Sequence, residues 1–388
     1  MAWKALLAAG TLLLPAHVHA QQYGELHTVE TNVFRPEQRE LSDDLVQQLQ
    51  LPDGFSVTLF ARDLQGPRML AVGEDGTVYA TGPSQGEVIA LDGAGSEPRT
   101  VASDLAGVHG IAIRDRRMYL ATATEIMAAD IGDDGSLGEM ETIIDDLPGG
   151  GQHARTTIGF APDGALHVNM GSSCNSCFEL TEEKAADLRV NVEDGSRSVF
   201  AHGLRNHLGF DWHPETGQMW ATDQGVDHRG DEFPGEELNL IEEGAHYGWP
   251  FCIGDREPDW MSFTEPEGAE KGEYCRNETE APTLTFDAHA SALNLVFYDA
   301  EQFPEEYHND AFVALHGSFN RAEPAGYKVV RVVFENGEPQ QVEDFLTGFL
   351  IEDGQAHFGR PAGLAIAADG ALLVADDANG AIYRIAHE

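Results

Sequence analysis

One histidine, a few scattered arginines and a dense acidic segment are the parts of this chain best suited to chemistry. His153 follows three consecutive glycines in GGGQHART, on a loop where backbone can approach a ligand closely. Arg205 and Asn206 lie in HGLRN, His289 in DAHA and Arg360 in HFGRP. The segment from Ala221 to Cys252, ATDQGVDHRGDEFPGEELNLIEEGAHYGWPFC, offers Asp223, Gln224, Asp227, Asp231, Glu232, Glu236 and Glu237 as hard oxygen donors. Its glycine-rich backbone adds carbonyls. Such donors suit calcium better than a soft metal. The spacing is not that of an EF-hand loop, and a solvated acidic loop is the plain alternative. Arginines gathered on one pocket need an anionic partner, and histidine changes charge near working pH. These residue types point to a pocket for an anionic ligand beside a general base.

Short strands in a recurring unit must position them. The last copy, RPAGLAIAADGALLVADDANGAIYRI (Arg360 to Ile385), reads as strand, Asp-Gly turn, strand, Gly-containing turn and strand. The first copy, Pro67 to Leu91, follows the same order, and further copies start at His109, Arg155, Leu204 and Ser291. A unit of this kind cannot bury both sheet faces alone. Six copies stacked around an axis can, which predicts an all-β, six-bladed β-propeller with a central channel. Repeated Asp-Gly turns at blade-like intervals disfavour a pair of β-sandwiches. The segment LPDGFSVTLFARDL (Leu51 to Leu64) is the strand that closes the ring against the last blade. In a propeller, polar residues just before a unit's first strand face the channel. That rule places His153, Arg155, Arg205, Asn206, His289 and Arg360 at the pore. Arg205 has an alternative, pairing with an acid such as Asp223, and Arg360 could point at a neighbouring blade. His202, His207 and His213 read as surface or packing residues. The long insertions between Gly225 and Ser291 read as loops on the binding face.

Residues 1–20 have the pattern of a secretory signal, with Lys4, an apolar core from Ala5 to Leu14 and Val18-His19-Ala20 before the cut. Residues 21–50 form an N-terminal arm with a short helix near Ser42 to Leu51, capped by Ser42, and residues 51–388 form the propeller. The expected location is periplasmic or secreted, with no membrane span. A net charge of -43 with only 23 basic residues argues against nucleic acid and anionic membrane as partners. Of the four cysteines, Cys174 and Cys177 form CNSC, while Cys252 and Cys275 flank a polar loop. Two local disulfides are the expectation in an exported chain. Phe178 stands where a haem attachment would need His.

The stretches GLRNHLGFDWHPETGQMWATDQG, EELNLIEEGAHYGWPFC, DAFVALHGSFNRAEPAGYKVVRV and GRPAGLAIAADGALLVADD carry a resemblance. The chain resembles the soluble PQQ-dependent sugar dehydrogenases, specifically the L-sorbosone dehydrogenase-like branch of the glucose/sorbosone dehydrogenase fold. The resemblance implies pyrroloquinoline quinone (PQQ) at the channel mouth with a calcium ion beside it. It implies His153 as general base, with Arg205 and Asn206 beside quinone and substrate, and Gln224, Gly225 and Val226 as the segment whose carbonyls hold the cofactor calcium. Arg360, assisted by Arg321, is implied as the clamp on a cofactor carboxylate. Glu237 and the Tyr247 carbonyl are implied as a second, structural calcium site. The glucose dehydrogenase branch carries two closely spaced arginines before the last blade, where this chain has Gly359-Arg360-Pro361, and its cofactor-binding lysine has no clear counterpart near HGSFNR. The activity implied is oxidation of an aldose or sorbosone-like sugar, with electrons passed to an external quinone or cytochrome. A calcium-dependent sugar lactonase and a non-catalytic ligand-binding propeller are the alternatives, because fold alone does not choose.

Overall fold

The computed structural model describes residues 29–388; the signal expected over residues 1–20 and the first part of the arm lie outside the described residues. Six four-stranded antiparallel sheets form the ring. The inner strands of blades 1 to 6 are Leu70–Val72, Gly110–Arg114, Ile158–Phe160, Phe210–Trp212, Ala292–Phe297 and Pro361–Ile366. Their second strands are Val78–Gly82, Arg117–Ala121, Leu166–Met170, Met219–Asp223, Ala311–Leu315 and Leu372–Asp376.

The turns between these two strands show why the sequence repeats. In blades 1, 3 and 6 an aspartate accepts the backbone N–H two residues on (Asp75 from Thr77, Asp163 from Ala165, Asp369 from Ala371). The glycine after each takes a left-handed φ, +86° at Gly76, +93° at Gly164 and +85° at Gly370. A side chain would be strained there, so Asp-Gly sets the reversal. Ring closure is as expected: Phe55–Ala61 is the outer strand of blade 6, paired antiparallel with Ala381–His387 through Val57 opposite Ile385. This covers an otherwise open edge.

Apolar side chains of neighbouring blades pack between sheets. The largest cluster joins blades 5 and 6 through Tyr298, Phe303, Phe312, Phe345, Phe358 and Tyr383, all nearly or fully buried. Within it the Tyr298 and Phe303 rings stack at 4.3 Å. Leu208, Leu293 and Ala362, from the starts of blades 4, 5 and 6, form a small apolar cluster of their own.

The arm helix is a single turn, Asp43–Val46, with the Ser42 side chain accepting from the Leu45 N–H. It is shorter than the Ser42 to Leu51 pattern suggested, because Gln50 instead bridges to Thr347. Both disulfides are local, Cys174–Cys177 and Cys252–Cys275. No helix among the described residues is long and apolar enough to cross a membrane.

Candidate active site at the channel mouth

An antiparallel hairpin puts the start of its first strand beside the end of its second. Six blades therefore offer twelve chain ends to one rim of the channel. The rim holds Arg68, His109, Arg155, Arg205, Ser291 and Arg360 before the inner strands. At the ends of the second strands it holds Ser172, Gln224, His316 and Asp377.

Blades 3 and 4 make one half of this rim. His153 Nδ1 lies 2.8 Å from Ser172 Oγ. The Ser172 hydroxyl spends its only proton on the Cys174 carbonyl at 2.8 Å, so His153 must donate from Nδ1, and its Nε2 keeps a free lone pair. Burial, then the neighbouring Arg205, lowers the His153 pKa to about 3, so the ring is neutral. The close approach of this loop to blade 4 needs Gly171. A Cβ there would lie 2.5 Å from the His153 carbonyl oxygen and 2.9 Å from Asn206 Oδ1.

The Arg205 and Asn206 N–H groups donate to Asp223 at 2.8 and 2.6 Å. Asp223 thus holds backbone here, and the guanidinium pairs elsewhere. Nε donates to the Asn175 carbonyl, Nη1 to the Gln224 carbonyl, and Nη2 to Asn175 Oδ1 and Asp227 Oδ2. Asn206 donates to Gln224 Oε1 at 2.9 Å, and Gln224 donates to the Ala292 carbonyl. Asn206 Oδ1 is buried with no partner among the described residues.

Blades 1, 2, 5 and 6, joined by Arg155 from the start of blade 3, which lies beside Arg68 and His109, make the other half. Asp377 accepts from His316 Nε2 at 2.8 Å and pairs with Arg68. Burial alone would raise the Asp377 pKa, but His316, Arg68 and Arg360 hold it well below the carboxylate range. Burial, against the pull of Asp377, lowers His316 to about 4. Arg68 donates to His109 Nε2, so His109 donates from Nδ1 to the Thr156 carbonyl. Burial and then Arg68 and Arg155 keep His109 neutral. Arg360 donates to the carbonyls of His316 and Gly317 and lies over the Tyr327 ring. Neither Arg360 nor Arg155 has a carboxylate bonded to it among the described residues. The Arg155 side chain stands exposed in the mouth, and the protein around it together with Arg68 lowers its pKa. In a chain of net charge -43 this is a concentrated positive surface, suited to an anionic ligand.

Oxygen donors gather behind blade 4. Asp223 and Glu237 stand directly opposite on paired strands, an unfavourable arrangement for two anions. Burial, then Asp223, raises Glu237 to about 8; burial raises Glu236 to about 7 against two N–H donors, Gly225 and Ser291. A cavity of about 20 Å³ is lined by Asp223, Gln224, Gly225, Val226, Glu237 and Tyr247, room for one water or ion. The Tyr247 hydroxyl is spent on the Leu240 carbonyl, which leaves its own carbonyl as a donor. Among the described residues no three His, Cys, Asp or Glu side chains converge on a point. A cation here would take carboxylate and carbonyl oxygens together.

His153, Arg205, Asn206, Gln224, Gly225 and Val226 thus meet, and Arg360 lies across the rim from them. Arg321 does not join them: it donates to the Ala288 carbonyl and to Glu232, closing the inserted loop on blade 5. His289 holds the same loop through the Gly230 carbonyl and accepts from Asn320. His207 is a packing residue, paired with buried Asp187. The sequence reading missed Arg68 and His109, although its own rule for strand starts reaches both. It also missed His316 and Asp377, because it looked only at starts and not at the ends of second strands. Arg68 and Arg155, at the starts of blades 1 and 3, add positive charge to the rim beside Arg360.

Fold and rim define a six-bladed propeller whose mouth gathers arginines beside a neutral imidazole. The profile of the TrAA12-like family matches residues 49–388, and the chain belongs to that family. An uncharacterized protein of Borreliella burgdorferi is 27% identical over 89% of this chain and 93% of its own length. A solved family AA12 enzyme of Trichoderma reesei superposes with a TM-score of 0.77, 22% identity and coverage of 88% of this chain and 98% of that one. The holo PQQ domain of pyranose dehydrogenase from Coprinopsis cinerea gives 0.74, 20%, 90% and 98%. Among curated relatives, the chain spans about half the PQQ-dependent sugar dehydrogenase of Hypocrea jecorina, 55% of its length and 56% of this chain at 25% identity.

Proposed function

We propose that the chain is an exported, PQQ- and calcium-dependent oxidoreductase acting on an aldose or sorbosone-like sugar, with an external quinone or cytochrome as electron acceptor. The observation that carries this is the pairing of two guanidinium groups without carboxylate partners among the described residues, Arg155 and Arg360, with a neutral His153 whose Nε2 has no partner among them either. Family membership supports it, as do the sugar and PQQ in the names of the relatives. Export rests on the residue pattern of positions 1–20.

When bound, PQQ supplies a two-electron acceptor and calcium a Lewis acid, chemistry that amino acids lack. Arg360, Arg155 and Arg68 would hold the carboxylates, and the Gly225 and Val226 carbonyls would face the adjoining calcium. Glu237, Asp223 and the Tyr247 carbonyl would hold a second ion. His153 accepts the sugar hydroxyl proton at Nε2 while Ser172 fixes the ring through Nδ1. Asn206 and Gln224 are locked to each other and form a wall against which a sugar can be oriented.

The test is reconstitution. Purified protein with added PQQ and calcium should reduce an artificial dye on a panel of sugars, and His153→Ala should lose that activity. Lactone hydrolysis without quinone would replace the proposal with a lactonase. Absence of both activities, with no thermal shift on adding PQQ, would replace it with a binding propeller.

A further inference from the structure

Asn175 lies inside the Cys174–Cys177 disulfide loop and bonds to Arg205, Asp227 and Trp249 at once. Its carbonyl accepts from Arg205 Nε at 3.1 Å and from Trp249 Nε1 at 3.0 Å. Its Oδ1 accepts from Arg205 Nη2 at 2.8 Å and from the Asp227 N–H at 2.9 Å, and its Nδ2 donates to the Asp227 carbonyl at 3.2 Å. Asp227 in turn pairs with Arg205 and accepts from Asn320 at 2.6 Å. One residue earlier in the chain than Asn175, Cys174 offers the carbonyl that orients Ser172 and so His153. One four-residue loop therefore touches both arms of the blade 3 and 4 half. A flexible asparagine would lose these bonds to side-chain and backbone entropy. The disulfide limits that freedom, and it is the accessible one, since Cys174 and Cys177 are half-buried while Cys252 and Cys275 are buried.

We infer that Asn175, held by the Cys174–Cys177 disulfide, is a positioning residue that sets the Arg205 guanidinium and keeps it in register with His153. Opening the disulfide releases both. In that step a dithiol reductant gives two electrons and two protons, the S–S bond breaks, two thiols form, and the reductant becomes a disulfide. Asn175 acts through Arg205 and does not itself reach a substrate.

Phenylglyoxal labelling of the full chain, mapped by mass spectrometry, reads this without any cofactor. The Arg205 side chain is 4% exposed and should resist labelling in the wild type. In Asn175→Ala, and in wild type treated with dithiothreitol, Arg205 should label roughly tenfold faster or more, because a guanidinium freed of its hydrogen bonds opens locally. Arg331, buried in blade 5 and paired with Asp310, should stay protected throughout and reports an intact fold. Asn175→Asp keeps the Oδ1 acceptor and should restore part of the protection. If Asn175→Ala fails to fold, Arg331 labels as well, and the dithiothreitol arm then decides. Unchanged Arg205 protection with Asn175 removed or the disulfide opened overturns the inference. A parallel assay of PQQ binding and dye reduction rests on the proposed function and should show a lowered kcat in Asn175→Ala with the PQQ Kd near wild type. No PQQ binding by wild type would count against that function alone, and the labelling result would still stand.

Discussion

The two halves of the channel mouth solve opposite problems with the same side chain. In the blade 3 and 4 half, Arg205 spends four of its five N–H groups on Asn175, Gln224 and Asp227. It is a structural strut with charge. In the other half, Arg360 spends two on carbonyls, and Arg155 spends none on any described residue. Those N–H groups are left for a ligand. The difference teaches that an arginine's role follows from its count of satisfied donors, not from its place at a blade start. Under the proposed function, the saturated half would fix geometry for proton transfer and the unsaturated half would supply affinity.

The sharpest break between the halves is in kinetics against binding. His153→Ala should lower kcat by roughly 10² to 10⁴, the usual range for a general base, with the PQQ Kd near wild type. If His153→Ala keeps its activity while His316→Ala loses it, the base belongs to the Asp377 half and the division is wrong. Next in size is Arg205→Ala. Removing one partner of a buried pair leaves Asp227 and Asn175 unsatisfied, a loss of about 3–5 kcal/mol, read as lowered stability in denaturant more than as lost PQQ affinity. Arg360→Ala and Arg155→Ala should do the reverse. Each removes charge-assisted hydrogen bonds of about 1.5–3 kcal/mol, or roughly 10- to 100-fold in PQQ Kd, while the melting temperature holds. Equal effects on stability from Arg205→Ala and Arg360→Ala would erase the contrast.

Much of this was readable from sequence because a propeller converts a one-dimensional rule into a location. Asp-Gly turns and alternating strands fixed six units, and the residue before each inner strand had to face the axis. That logic reached His153, Arg205, Asn206 and Arg360. It did not reach His316 and Asp377, whose place depends on the hairpin partner rather than on their own strand. Nor could it tell that Arg205 pairs with Asp227 and not Asp223, since both lie in the same acidic segment and only the fold of the inserted loop selects one. Nor could it show that Glu232 approaches Arg321 from that loop, which has no repeat to constrain it. The role of Asn175 was invisible, because CNSC reads in sequence as a staple and nothing more.

The smallest expected effect concerns the cavity behind the saturated half. Glu237 is raised to about 8 and Glu236 to about 7, against 4.5 for a free glutamate. The folded chain therefore holds protons that the unfolded chain releases, so their stabilisation is complete below about pH 4.5 and is lost as pH rises through 7 to 8. His153 works in the opposite sense, with a folded pKa near 3 against 6.5; its contribution is complete above pH 6.5 and falls away only below that. Between pH 7.5 and 9, above the titration of Glu236 and of Asp376, both raised to about 7, Glu237 dominates and metal-free protein should lose about 1 kcal/mol, bounded by ~1.4 kcal/mol per unit for each proton. Calcium bound by Glu237 and Asp223 would hold both ionised and flatten that slope, whereas the anion-receptive half should not respond to calcium at all without PQQ. Melting curves in chelator and in calcium at several pH values measure it. Glu237→Gln should remove most of the calcium response while leaving the weaker slope of Glu236 in place. A pH profile that calcium leaves unchanged would mean that the paired carboxyls are a protonated hydrogen-bonding unit and not a cation site, and the blade 3 and 4 half would then be held by protein contacts alone.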